Sequence, residues 1–519
     1  MTNSDWSSDV CSSDLFVMKY TNPVLKGFYP DPSVCAANGR YYLVCSSFQF
    51  FPGVPLFESE DLVNWNQIGH VLTRPSQVML NKINSSGGVF APTIRFNDGR
   101  FYMVTTNDTT HKHFYVYTDD IRGEWSEPIT VDQNGIDPSL YFEDGHAYFI
   151  SNGSDDNGVP GVVQCEIDIA TGRKLTPSRT IWQGSGGRYL ESPHLYKING
   201  SYYLMAAEGG TEYGHMITYA RSDNPWGPFT NYPYNPVLTN RNKAPFLIQG
   251  IGHGDLIQDT HGDWHILSLG FRQIHMWQPY HHLGREVFLT PVTFDANGWF
   301  SAGTAGTTDY SYEIAGDFAQ HPIKKYTFES TERDKDWCYL RHPVTSNYEL
   351  SGHSAVLYGT DITLDECDTP TFIGIRQRDF DMDCECDVRC ERGEAGITLY
   401  MDEFEHYDIA LRRGAFGHEA VLKLNIGNIR HVQSIVPVSG DNIRLIIRSD
   451  SMQYHFYVWD NGREIFLGDA YTKFLSSEVA GGFTGVVIGL YAVGNHNRAE
   501  FTNLECTYDE WDFEKGMNI

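Results

Sequence analysis

Along the first part of the chain a short run of apolar residues recurs five times with the same grammar, a Gly, a polar or small residue, then aromatic and aliphatic positions. The runs are Gly39-Arg40-Tyr41-Tyr42-Leu43-Val44, Gly99-Arg100-Phe101-Tyr102-Met103-Val104, Gly145-His146-Ala147-Tyr148-Phe149-Ile150, Gly200-Ser201-Tyr202-Tyr203-Leu204-Met205 and Gly262-Asp263-Trp264-His265-Ile266-Leu267. They stand roughly 45 to 60 residues apart, the period of propeller blades. Ahead of each Gly lies a second strand signal: Asp31-Pro32-Ser33-Val34, Ala91-Pro92-Thr93-Ile94, Asp137-Pro138-Ser139-Leu140, Glu191-Ser192-Pro193-His194-Leu195 and His253-Gly254-Asp255-Leu256. An Asn-Gly or Asp-Gly type turn between the two predicts a β-hairpin in each blade. A third strand is expected from Ser59–Trp65, Thr118–Trp125 and Arg221–Trp226. Together these predict a five-bladed, antiparallel β-propeller.

After the fifth blade the texture changes. The small, polar stretch Ser301–Thr308 and the segment leading to Lys325 mark a boundary, and beyond it come alternating strands such as Gly396–Tyr400, Tyr407–Leu411, Val421–Asn425 and Ile443–Ile447. That alternation predicts a β-sandwich. The expected organisation is a leader over 1–17, a propeller over 18–318 and a sandwich over 319–519, an all-β chain whose helices are short. An apolar fraction of 41% over 519 residues is ample for two cores, and 14% aromatic residues with 49 Gly fit an all-β protein.

The innermost strands of a propeller surround its axis, so equivalent first positions converge. Here they are Asp31, Ala91, Asp137, Glu191 and His253. A single Asp-Pro-Ser is more often a turn whose Asp caps its own backbone. Three acids in register point to a site, because crowded carboxylates repel and raise one another's pKa. Glycoside hydrolysis suits such a set: one carboxyl protonates the leaving oxygen and another activates water or attacks carbon. A metal site is the competing reading, but no regular Asp-x-Asp-x-Asp ligand run occurs.

Several motifs together carry a resemblance: Asn22–Ser33, Ser47–Val54, Gly135–Leu140, Glu191–Tyr196 and His282–Glu286. In them the chain, from Met18 onward, resembles glycoside hydrolase family 43, in particular its two-domain β-xylosidases and α-L-arabinofuranosidases. The resemblance implies a five-bladed propeller followed by a concanavalin-like sandwich, and an inverting mechanism with Asp31 as general base, Glu191 as general acid and Asp137 as modulator of the acid's pKa. Inversion requires the Asp31 and Glu191 carboxyls about 6.5 to 9.5 Å apart. It also implies that Phe48, Phe90 and Thr211 line the sugar subsite, that Arg285 contacts sugar and acids, and that His253 supports the site through a water or a bound Ca²⁺. No cofactor is required. Gly481-Gly482-Phe483-Thr484-Gly485 resembles a sandwich loop that closes the pocket with Phe483, which implies an exo-acting enzyme. The implied reaction is release of terminal β-D-xylose from xylo-oligosaccharides, with α-L-arabinofuranose as an alternative or additional substrate. A silent, sugar-binding propeller is the alternative of another class.

Two motifs depart from the family pattern. Phe90-Ala91-Pro92-Thr93 stands where many relatives have Trp-Ala-Pro-Asp, and Glu191-Ser192-Pro193-His194 where many have Glu-Gly-Pro-His.

Charge and cysteines narrow the partners. A formal charge of −28 argues against nucleic acid or an anionic membrane, and no apolar run reaches the length of a membrane span. The 10 Cys show no Cys-x-x-Cys spacing suited to zinc and no disulfide framework, so free thiols in a reducing, cytoplasmic compartment are expected, Cys384, Cys386 and Cys390 among them. Residues 1–16 lack the basic start and apolar core of a signal peptide. Asp5–Leu15 resembles translated adapter DNA, which places the expected natural start at Met18. Partners are oligosaccharides bearing xylose or arabinose, with a homo-oligomer left open.

Overall fold

The computed structural model describes residues 16–329 and 333–517, so most of the expected leader lies outside the described residues. Five four-stranded antiparallel sheets form the blades of the propeller. Blade 1 is built from Ser33–Ala37, Arg40–Val44, Gly53–Ser59 and Asn66–Leu72, and blades 2 to 5 follow with inner strands Thr93–Asn97, Ile136–Glu143, Glu191–Ile198 and Ile248–Gln258. The turn pairs do what their chemistry dictates: Asn38-Gly39, Asp98-Gly99, Asp144-Gly145 and Asn199-Gly200 all hold both residues at positive φ, the mirror-image turn that matches strand twist.

The aromatic-aliphatic run of each second strand follows from its position between two neighbours. In Arg40–Val44, Tyr41 and Leu43 pack with Leu267 and Leu289 of blade 5, whereas Tyr42 and Val44 pack with Phe101 and Met103 of blade 2. Both faces are buried, so successive residues must all be apolar. The same division recurs where Tyr102 and Val104 meet Leu140 and Phe149, where Ile150 meets Leu204, and where Tyr203 and Met205 meet Ile266 and Phe288.

The stretches expected to be third strands are instead the turns that end them. Ser59 and Thr118 close strands Gly53–Ser59 and Lys112–Thr118, and Ser222 closes Met216–Ser222. Beyond them Asp61 Oδ1 accepts the Val63 and Asn64 amides at 2.9 and 2.7 Å, and Asn224 Oδ1 accepts the Trp226 amide at 2.8 Å. Short polar side chains that bond their own backbone favour such turns over strand.

A polar hub knits the inner strands together. Asp255 of blade 5 accepts Ser33 Oγ at 2.6 Å and Arg95 Nη1 at 2.8 Å, and also accepts the hydroxyl of Tyr196. Burial alone would raise the Asp255 carboxyl, but Arg95 leads the partners that hold it well below the usual range. Four blades therefore meet at one ionised group, fixing the inner strands whose first positions form the candidate site.

The polar stretch 301–308 is folded into the propeller rather than open: Thr308 is buried, and its amide donates to Asn240 Oδ1 at 2.9 Å. Ser311–Ala315 then pairs with Val17–Thr21. The second unit is a sandwich of an eight-stranded and a six-stranded sheet, in which the strands expected at Gly396, Tyr407, Val421 and Ile443 are all present. Cys384, Cys386 and Cys390 point into its core, and every cysteine among the described residues is a free thiol. The outer face of the six-stranded sheet packs on the propeller through Phe372, Tyr400, Val421 and Tyr491 against Phe28, Phe48 and Phe50. A buried ionic cluster reinforces the junction: Arg272 bonds both oxygens of Glu286 at 2.7 and 2.8 Å and Asp379 of the sandwich at 2.7 Å, and Lys26 reaches Asp379 at 2.8 Å. The chain's last helical turn, Phe513–Met517, folds back so that Phe513 stacks on Tyr310. No helix among the described residues is long and apolar enough to cross a membrane.

Candidate active site

At one end of the propeller axis a cavity of about 300 Å³ is lined by Asp31, Asp137, Glu191, His253, Arg285, Phe48, Phe90, Thr211 and Phe483. All nine residues expected from the sequence to form the site thus line one space. Ala91, His215, Tyr189 and Glu212 line it too.

Local backbone irregularity aims the acids inward. Asp31, Asp137 and His253 adopt φ of +57, +52 and +41°, and Ser192, beside Glu191, adopts +54°. Pairing with the second strand breaks at Ile136/Ser139, at Glu191/His194 and around Gly252–Gly254. A bulge of this kind re-aims a side chain at the end of a ladder, and its backbone strain is typical of functional sites. Asp and His tolerate the left-handed region better than bulky residues do. At Ser192 one departure from the family pattern carries a cost, since Gly would hold the same conformation without strain.

Asp31 is bound on both oxygens. Its Oδ1 accepts Arg285 Nη1 at 3.0 Å, and its Oδ2 accepts Ser46 Oγ at 2.5 Å. His253 Nδ1 lies 3.5 Å from Asp31 Oδ1 and 3.8 Å from Asp137 Oδ2. Burial would raise the Asp31 pKa, but Arg285 first, then His253 and Ser46, bring it below the ordinary carboxylate value. Glu191 is pushed the other way, to about 7, by burial and by the charge on Asp31. Asp137 is raised well above its usual value by burial and then by Glu191 and Asp31, although the Ser192 amide donates to its Oδ2 at 3.1 Å. Buried carboxyls that repel one another cannot all ionise, so Asp137 and Glu191 together hold a proton at a pH where Asp31 is charged. His215 is neutral, held at about 3 by burial and by neighbouring His253.

Arg285 ties the acids to the pocket wall. Its Nη1 also donates to Thr211 Oγ1 at 2.9 Å and its Nη2 to the Phe483 carbonyl at 3.2 Å. Phe483 stacks on Phe48 with centroids 5.9 Å apart, and Phe90 meets Phe48 edge-on at 5.7 Å. Phe48 is therefore both pocket wall and part of the domain junction. The sandwich loop fits tightly: a Cβ on Gly284 would sit 3.0 Å from Gly485 Cα. Ser86 Oγ accepts the Phe483 amide at 2.8 Å.

The donors around His253 make a poor cage for a cation. The imidazole turns Nδ1 toward Asp31 Oδ1 and Asp137 Oδ2, oxygens that already take Arg285 and the Ser192 amide. Among the described residues no cluster of three or more His, Cys, Asp and Glu has metal-binding geometry.

Sequence reasoning missed Ser46, Tyr189, Glu212 and His215. Ser46 only follows an apolar strand, and the other three lie in loops without a repeating pattern. His215 carries one signal in hindsight, for Gly252 of the inner strand has no room for a side chain: its Cβ would lie 2.3 Å from the His215 ring.

Residues 20–300 match the profile described as "Glycosyl hydrolases family 43", and residues 325–513 the "Beta xylosidase C-terminal Concanavalin A-like domain". The chain is 38% identical over 510 residues to a non-reducing end α-L-arabinofuranosidase of Bacteroides ovatus, covering 95% of this chain and 94% of that one. It is 32% identical over 526 residues to a xylosidase/arabinosidase of Butyrivibrio fibrisolvens, covering 95% and 99%. Among solved structures, a Bacteroides ovatus protein described as "Xyloglucan PUL GH43B" superposes with a TM-score of 0.89 at 36% identity, covering 95% of this chain and all (100%) of that one. A xylan β-1,4-xylosidase of Bacillus halodurans gives 0.85 at 27% identity, covering 94% and 100%.

Proposed function

The chain belongs to glycosyl hydrolase family 43 and is a glycosidase, and from that premise we propose that it is an exo-acting, inverting enzyme releasing terminal β-D-xylose from xylo-oligosaccharides, with α-L-arabinofuranose accepted in the same site. Asp31 is the general base: it draws a proton from water as that water attacks the anomeric carbon. Glu191 is the general acid and delivers its proton to the departing glycosidic oxygen. Asp137, whose charge would repel that of Glu191 and which holds the neighbouring Ser192 amide, keeps the proton available and the acid aligned.

One observation carries this reading. Within one cavity Asp31 is held ionised by Arg285 and Ser46 while Glu191 is lifted to about 7. Environments that push two carboxyls apart in pKa assign the base and the acid. A protein that only bound sugar would need hydroxyl partners but no protonated carboxyl, which disfavours a silent propeller. The small cavity, capped by Phe483 and walled by Phe48 and Phe90, favours one terminal sugar over an internal stretch of polymer. A main activity on α-L-arabinofuranose is the second reading, favoured by the relative of that name at 38% identity. No step requires a cation.

Initial rates on 4-nitrophenyl β-D-xylopyranoside and α-L-arabinofuranoside test this, with Asp31→Asn alongside. Turnover of either that vanishes in the variant supports the reading, and the ratio names the main sugar. Turnover of neither, or a variant as active as the parent, overturns it.

A further inference from the structure

A bulky residue in a costly conformation stands at the rim of the cavity. Tyr189, two positions before Glu191, has φ +54° and is 58% exposed. A left-handed backbone disfavours a residue of this size and persists only where its surroundings enforce it. They do so through Glu208, a fully buried carboxylate that accepts four donors: the Ser185 amide at 2.6 Å, Ser185 Oγ at 3.2 Å, the Gly187 amide at 2.5 Å and Thr218 Oγ1 at 2.9 Å. The loop is pinned again where the Gly209 amide donates to the Arg188 carbonyl at 2.7 Å and Asn152 Nδ2 to the Leu190 carbonyl at 2.6 Å. Beneath the ring lies Gly210, where a Cβ would come within 3.0 Å of Tyr189 Cδ2. A buried hydrogen-bond cluster and a strained backbone thus present one aromatic ring to solvent beside the acid.

Geometry says what the ring can meet. The acid must face the glycosidic oxygen, so the sugar that departs extends from Glu191 toward the rim, away from the closed end formed by Phe48, Phe90 and Phe483. Phe483 is stacked on Phe48. Tyr189 has no ring partner among the described residues, and only the Arg188 guanidinium lies over it, 5.0 Å from the centroid. A pyranose with equatorial hydroxyls presents a flat face of C–H groups to such a ring. We infer that Tyr189 is the platform for the leaving-group sugar, a specificity-determining residue for a pyranose in that position, with Glu208 as the positioning residue that holds its loop. The inference rests on the proposed role of Glu191.

The test compares an oligosaccharide with a methyl glycoside carrying the same terminal sugar, xylobiose and methyl β-D-xyloside or their arabinofuranosyl counterparts. Both leaving groups need the acid's proton, but only the first offers a ring. Tyr189→Ala is expected to lower kcat/KM about tenfold more on the oligosaccharide than on the methyl glycoside, while Tyr189→Phe keeps that ratio near the parent value. Glu208→Gln, if it folds, is expected to move the same ratio in the same direction. An equal loss on both substrates, a shift in the basic limb of the pH profile of Tyr189→Ala, or no loss on either overturns the platform while the parent enzyme remains active. A parent enzyme that removes neither sugar overturns both this inference and the reading beneath it.

Discussion

The guanidinium of Arg285 joins Asp31 to the sandwich: one nitrogen donates to Asp31 Oδ1 at 3.0 Å, and the other to the Phe483 carbonyl at 3.2 Å. The charge that keeps the candidate base ionised and the loop that caps the pocket are therefore held by one side chain. Arg285→Ala is expected to lower kcat/KM by about 10- to 100-fold, the worth of a charge-assisted bond, and to move the acidic limb of the pH profile upward. An unchanged acidic limb would show that Asp31 does not depend on this partner.

The pKa directions set the shape of that profile. Activity needs Asp31 ionised and Glu191 protonated. It is expected to rise as pH passes the depressed pKa of Asp31 and to fall above about 7, where Glu191 loses its proton. Glu191→Gln is expected to abolish the basic limb together with most of the rate on substrates with poor leaving groups. Measuring kcat/KM across pH checks both statements.

Inversion has a direct readout. Proton NMR of a fresh β-xyloside digest is expected to show α-xylose first, with the β-anomer appearing only by mutarotation. The β-anomer appearing first would make Asp31 a nucleophile rather than a base.

Ser192 occupies a left-handed position next to the acid, with its hydroxyl buried and unpartnered. Ser192→Gly is expected to stabilise the fold by about 1 kcal/mol, because it relieves both costs. The amide bond to Asp137 Oδ2 is kept, so activity should change little. Thermal unfolding of the two proteins gives the answer.

Treatment with EDTA followed by desalting is expected to leave activity intact, as no step proposed for Asp31, Glu191 and Asp137 runs through a cation. Loss of rate restored by Ca²⁺ would place an ion beside His253 after all.

What the chain determines locally is what its sequence shows. Strands buried against a blade on each side must be apolar at every position, so Tyr41–Val44 and its four counterparts are legible as blades, and Asn-Gly and Asp-Gly turns mark their hairpins. Register then places Asp31, Asp137 and Glu191 at equivalent positions, which is enough to locate a site. Two features were decided only by the tertiary structure, and a third, a turn, is local. The proton sits with Glu191 and Asp137 rather than Asp31 because Arg285, 254 residues from Asp31 along the chain, lies against that one carboxylate. The stretch after Ser59 is a turn where strand was expected, because the Ser59 and Asp61 side chains accept backbone amides only two or three residues away. Tyr189 is held at the pocket rim by a loop that Glu208, buried at the end of the blade's second strand, fastens. Periodicity records which faces are buried; pKa values and loop conformations depend on neighbours that are close in space and distant in sequence.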